Sequence, residues 1–114
     1  MVKKGETQKE AVIHGGANVF ADLGFDDAEE RQTKLRLAHA INQILEAGHH
    51  TQADAANLLK VNQSKISALQ HYKLESFPVE RLMTFLTALD RDVEIFIRKK
   101  PLSRLIGKIS VRAA

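Results

Sequence analysis

The stretch TQADAANLLKVNQSKISALQ, residues 51–70, decides how this chain is read. Thr51 carries the side-chain oxygen that caps a helix start, and Gln52 to Leu59 contains no glycine or proline to interrupt one. Lys60-Val61-Asn62 breaks the pattern, and Asn62 or Gln63 opens a second short helix. Leu59, Val61, Ile66 and Leu69 are spaced to pin two short helices together. Ala55 and Ala56 suit a helix wedged between two others, with Ala56 expected at the close crossing, where only a small side chain fits. A break of about three residues between two such helices is that of a helix-turn-helix.

If Ile66 and Leu69 face inward, Asn62, Gln63, Ser64, Lys65 and Ser67 face outward. Gln and Asn can pair bidentately with adenine, Lys with guanine, and Ser with a base or a phosphate. A helix carrying such a face lies in the major groove and reads with its N-terminal residues. Gln52, at the start of the first helix, is placed to sit over a phosphate, where the helix dipole favours an anion. From Lys60 to Lys73 there is no acidic residue, and Lys60, Lys65 and Lys73 are basic. The candidate contacts to double-stranded DNA are therefore Gln52, Asn62, Gln63, Ser64, Lys65, Ser67 and Lys73.

Upstream, the pattern predicts a long helix. Asp26 is its expected N-cap, Glu29 stands at capping-box spacing, and Phe25 is placed as a staple residue. Leu37, Ala38, Ile41, Ile44 and Leu45 share one face, and Gly48 is the expected stop. Asn18 to Leu23 reads as a short helical turn ended by Gly24, and residues 1–17 as a mobile polar arm in which Gly15-Gly16 is a joint. Downstream, Pro78 suits the first turn of a further helix. That helix buries Val79, Leu82, Met83, Leu86 and Leu89. The period then changes. Val93, Ile95 and Ile97 alternate with Glu94, Phe96 and Arg98, which is a strand signal ended by Pro101. Two readings stand for residues 102–114, a fraying helix or a disordered tail; the spacing of Leu102, Leu105, Ile106 and Ile109 leans to helix. The expected architecture is a mainly α bundle plus one C-terminal β-strand. Its division is an arm (1–17), a DNA-binding domain (18–100) and a basic tail (101–114).

A lone strand leaves both edges unpaired. Two partners are available: Glu10 to His14 of the same chain, or a second copy about a two-fold axis. We take the second copy as the expectation, because two-fold regulators bind half-sites about one helical turn apart.

Composition narrows the remaining classes. The chain has 114 residues, a net charge of +3 and no cysteine, so neither a disulfide nor a thiolate metal site is available. A length of this order suits one domain. The mild positive charge is only a weak pull toward a polyanion. No apolar run reaches the roughly 20 residues of a membrane span, and Met1-Val2-Lys3-Lys4-Gly5-Glu6 leads into polar residues. A cytoplasmic protein without membrane contact is expected. His49 and His50 are adjacent and point in different directions on a helix, while His14, His39 and His71 fall on separate elements. No metal-binding spacing results. No nucleophile elbow, phosphate loop or dinucleotide fingerprint occurs, so neither an enzyme nor a cofactor is expected.

Thr51-Gln52-Ala53-Asp54-Ala55-Ala56, Leu58-Leu59 and Val61-Asn62-Gln63-Ser64-Lys65-Ile66-Ser67 together resemble the Cro/cI-type (XRE) helix-turn-helix family. The flanks NVFADLGFDDAEERQTKLRLAHAINQIL (18–45) and FPVERLMTFLTALDRDVEIFIRKKP (77–101) resemble the XRE-type antitoxins grouped with HigA. The resemblance covers about residues 18–101. It implies a lambda-repressor-like bundle, a homodimer, and repression of its own operon through an operator in double-stranded DNA. For the antitoxin subgroup it implies a RelE/HigB-like ribonuclease toxin as partner. An interaction module whose main work is neutralising that toxin, and an ordinary regulator without one, are the alternatives. The acidic stretch Asp22 to Glu30 suits a basic toxin surface, but suits a helix N-terminus better. One departure stands out. The family usually has glycine where this chain has Lys60, a site that often needs positive φ, at a cost of roughly 1 kcal/mol to other residues. His49-His50 likewise replaces a more ordinary turn.

Overall fold

The computed structural model describes residues 27–113. The expected arm, the turn at Asn18 to Leu23, the Phe25 staple, the Asp26 cap and the alternative strand at Glu10 to His14 lie outside those residues. The chain divides into two compact units, Met1–Gln32 and Thr33–Ala114. Of the first, only the opening turns of a helix are described, and the packing below is that of the second.

Among the described residues four helices follow one another: α1 (Asp27–Ala47), α2 (Gln52–Leu59), α3 (Gln63–Gln70) and α4 (Val79–Ala88). Their apolar stripes meet in one core. Leu37, Ala38, Ile41 and Leu45 come from α1, Ala55 and Leu59 from α2, Ile66 and Leu69 from α3, and Leu82, Phe85 and Leu86 from α4. Ile44, Val61, Val79 and Met83 pack half-buried around it. The close approach of α2 to its neighbours falls on the fully buried Ala55, whereas Ala56, the residue expected there, is only half-buried.

Three anchors were not expected from periodicity. Leu74 and Phe77, in the connection between α3 and α4, are buried, and so is Phe85. Phe77 meets Phe85 edge to face, with ring centroids 5.9 Å apart and an interplanar angle of 74°. That is a favoured aromatic geometry, and it fixes the connection onto α4. Pro78 is not inside α4 but is its N-cap, with φ −65°; its carbonyl accepts from the Arg81 and Leu82 amides.

Each helix ends the same way. A non-glycine residue adopts the left-handed conformation: His49 (φ 56°), Lys60 (φ 60°), Tyr72 (φ 60°) and Asp90 (φ 62°). The next amide then reaches back to a carbonyl in the last turn. His50 N donates to Leu45 O at 3.1 Å, Val61 N to Ala56 O at 3.1 Å, Lys73 N to Ala68 O at 2.9 Å, and Arg91 N to Leu86 O at 3.0 Å. This closes the carbonyl end of a helix without water. α1 stops at Ala47, directly before Gly48 as expected, and the left-handed residue that follows is His49. Gly48 serves a different need: a Cβ there would lie 2.7 Å from the His50 ring.

Among the described residues no strand forms. Residues 91–100 run without regular structure, because the described chain offers no second segment to complete a ladder. The helix reading of 102–113 is not realised either; a turn at Pro101 to Arg104 and bends take its place. The segment leaves the core at the half-buried Val93 and returns at Val111. There the Val111 carbonyl accepts a hydrogen bond from Arg36 Nη1 at 3.1 Å. Among the described residues, no helix is long and apolar enough to cross a membrane.

Candidate nucleic-acid interface

The interface is built from how α2 and α3 begin. Thr51 caps α2 with a reciprocal pair: its Oγ1 accepts from Asp54 N at 3.0 Å, and its own amide donates to Asp54 Oδ2 at 3.2 Å. The first intrahelical bond is Ala55 N to Thr51 O, so the amides of Gln52 and Ala53 precede it and mark the positive end of the helix. Asn62 caps α3 in turn. Its Oδ1 accepts from Lys65 N at 3.0 Å and from Ser64 Oγ at 2.6 Å. The cap therefore consumes the Asn62 oxygen and orients the Ser64 hydroxyl.

The five residues expected to face outward divide into two groups. Asn62, Gln63 and Ser64 are exposed and sit together on the opening turn of α3. Lys65 and Ser67 are half-buried. The Lys65 ammonium folds back, donating to Ser76 Oγ at 2.9 Å and lying 5.3 Å from the centre of the Phe77 ring. It is held by a hydrogen bond and a cation–π contact, not extended from the helix. Ser67 contributes its carbonyl to the end of α3, accepting from His71 N at 3.0 Å. Of the seven candidates, Gln63 is the exposed side chain at the tip that no cap or clamp engages.

Gln52 is not poised over open space. Its Nε2 donates to Gln70 Oε1 at 3.0 Å, joining the first residue of α2 to the last residue of α3. Asn42 of α1 braces the same end of α3, donating from Nδ2 to Leu69 O at 3.1 Å. Lys73 is exposed but lies beyond the C-terminus of α3. An eight-residue helix spans about 12 Å, so Lys73 flanks the opening turn and does not join it.

Gln70 and Ser76 are parts of this arrangement that sequence reading overlooked. Both act across large gaps, Gln70 on Gln52 and Ser76 on Lys65, and neither stands on a periodic apolar face that would draw attention to it. What the arrangement offers is a short polar helix end, projected from a core-anchored pair and locked in angle by three side-chain ties.

Residues 19–98 match the family model described as "Helix-turn-helix domain". A solved structure named "Putative XRE Family Transcriptional Regulator" is similar to this chain at 63% identity and a TM-score of 0.75, covering 78% of this chain and 100% of that one. No curated protein matches.

Proposed function

The chain belongs to the XRE family of helix-turn-helix transcriptional regulators, and from that premise we propose that it represses transcription as a homodimer on a two-fold operator in double-stranded DNA. The observation that carries this reading is the opening turn of α3. Asn62, Gln63 and Ser64 are exposed there, while Ile66 and Leu69 one turn on are fully buried. Such a helix end can enter the major groove without disturbing the core.

In this proposal Gln63 is the principal base reader, with Asn62 and Ser64 beside it. Lys65 and Ser67 line the same groove, the Lys65 charge sitting near the phosphates. Gln52 and Lys73 contact backbone phosphates on either side. The base-contacting part is the domain at 18–100, with the arm (1–17) and the basic tail (101–114) as appendages. Operator binding places the protein in the cytoplasm, and no cofactor enters the reading.

A mobility-shift assay on the chain's own promoter tests the assignment. Gln63→Ala should weaken binding by about 1–3 kcal/mol and relax discrimination at one base pair. Lys73→Ala should weaken binding uniformly across sequences and lower the salt slope by about one. Unchanged affinity of Gln63→Ala, with its helical circular dichroism intact, would sink the recognition-helix assignment.

The finer role we propose is that of an autorepressing antitoxin. Its support is the likeness of residues 18–45 and 77–101 to the HigA group. The competing emphasis is an interaction module whose main task is masking a RelE/HigB-like toxin, with DNA binding secondary. Co-expression with the product of the adjacent gene separates these from a plain regulator. Relief of a small ribonuclease's toxicity supports the antitoxin, and a neighbour of another kind leaves an ordinary XRE regulator.

A further inference from the structure

We propose that two copies of this chain pair antiparallel through residues 92–100 in one register, with the two-fold axis passing between Phe96 and its copy. The proposal rests on the dimer reading above and goes beyond it by fixing which residues face which.

Exposure is the first observation. Ile95, Phe96 and Ile97 are 70%, 84% and 94% exposed, consecutive large apolar side chains with no covering element among the described residues. The segment is tethered to the core by Val93, two residues before Ile95, so it projects from a fixed point. Unpaired backbone carrying apolar side chains is a template for a second strand.

Charge decides the register. The sequence reads Asp92-Val93-Glu94-Ile95-Phe96-Ile97-Arg98-Lys99-Lys100. Acids stand two and four places before Phe96, and bases stand two and four places after it. A two-fold axis relating antiparallel neighbours is normal to the ribbon and keeps each face on its own side, so it must be centred on a residue. Centred on Phe96, it sets Glu94 opposite the partner's Arg98 and Asp92 opposite the partner's Lys100. Each pair occurs twice. All four flank a Phe96–Phe96 contact on one face. The other face sets Ile95 against the partner's Ile97, again twice, with Val93 against the partner's Lys99 outside them.

The other centres match fewer of these pairs. Centring on Glu94 or Arg98 places a charge against its own copy, which is destabilising. Centring on Ile95 opposes Arg91 to the partner's Lys99, like against like. Centring on Ile97 keeps one charge pair, Glu94 with the partner's Lys100, but sets Phe96 against the partner's Arg98, Ile95 against the partner's Lys99 and Val93 against the partner's Pro101, which has no amide to give. Parallel pairing in register repeats every like charge along the ribbon. Complementary charge thus selects the occupant, a second copy, and the number of charge pairs together with the Phe96 and Ile95–Ile97 contacts selects the alignment.

The lack of cysteine makes the test direct. Facing residues in an antiparallel pair have Cα atoms about 4.5–5.5 Å apart, within disulfide reach, whereas diagonal neighbours lie about 7–8 Å apart. Full-length Phe96→Cys should oxidise to a covalent dimer. Ile95→Cys and Ile97→Cys should not do so alone but should cross-link when mixed. Fastest cross-linking of Ile95→Cys or of Ile97→Cys by itself would overturn this register in favour of its own. No cross-link in any variant, with a dimeric mass by sedimentation, would overturn the pairing and leave the dimer reading standing. A monomeric mass for the unmodified chain would overturn both. A charge swap checks the register independently. Glu94→Arg and Arg98→Glu should each weaken dimerisation by roughly tenfold or more, and the double variant should restore it. Failure of the double variant to recover would also overturn the register.

Discussion

Lys60 holds φ 60° and ψ 45° at the turn between α2 and α3. That conformation costs an L-residue roughly 1–2 kcal/mol, part of which glycine gives back through its floppier unfolded chain. Lys60→Gly should therefore stabilise the protein by about 0.5–1 kcal/mol, raising its melting temperature by up to roughly 4–8 °C. Lys60→Ala, which keeps the strain, should melt close to the parent. A glycine variant that melts lower would refute the strained-turn assignment. The need for a left-handed residue here was legible in the sequence, because the family's glycine marks it. The same need at His49, Tyr72 and Asp90 was not legible: His and Asp are enriched at positive φ, but too weakly to mark a single position.

At the scale of elements, the α2–α3 pair depends on a residue outside both. Phe77 is fully buried, packs against Phe85 and lies beneath the Lys65 ammonium. Truncating a buried phenylalanine typically costs about 3–5 kcal/mol. Phe77→Ala should lower the denaturant midpoint accordingly, and should loosen α3 as the surface over which Lys65 folds is lost. Ser76→Ala, which removes only the hydrogen bond to Lys65, should shift stability by about 1 kcal/mol or less. The four helices were readable because their apolar residues recur with helical spacing over several turns. Phe77 and Leu74 were not, because a connection has no period to betray which side chains turn inward. Residues 93–98 show the opposite case. Their alternation reports a local preference for extended backbone, but a strand is a property of two segments, and the described chain supplies only one.

For the molecule as a whole, function depends on how many reading helices reach one operator at once. If two copies present both α3 helices together, the second contact is made at high effective concentration. A full two-fold operator should then bind about 10²–10⁴-fold more tightly than a half-site. The comparison is a titration of both duplexes by mobility shift at fixed salt. Equal affinities would mean that one copy acts alone. The candidate site itself was about half legible. The polar opening turn of α3 follows from Ile66 and Leu69 facing in. The inward fold of Lys65 and the Gln52–Gln70 tie depend on Ser76 and Gln70, which only the folded arrangement brings near.

The segment between Val93 and Val111 is fastened at both ends to the same core and, apart from the half-buried Arg104, exposed between them. It carries Arg98, Lys99, Arg104 and Lys108, each followed by a residue other than proline. To trypsin this is a loop with cleavable bonds in two zones, one inside the proposed pairing ribbon and one beyond Pro101. Dilution would open the first zone and leave the second unchanged. The ratio of the two cuts would then act as a built-in gauge of how much protein is paired at a given concentration.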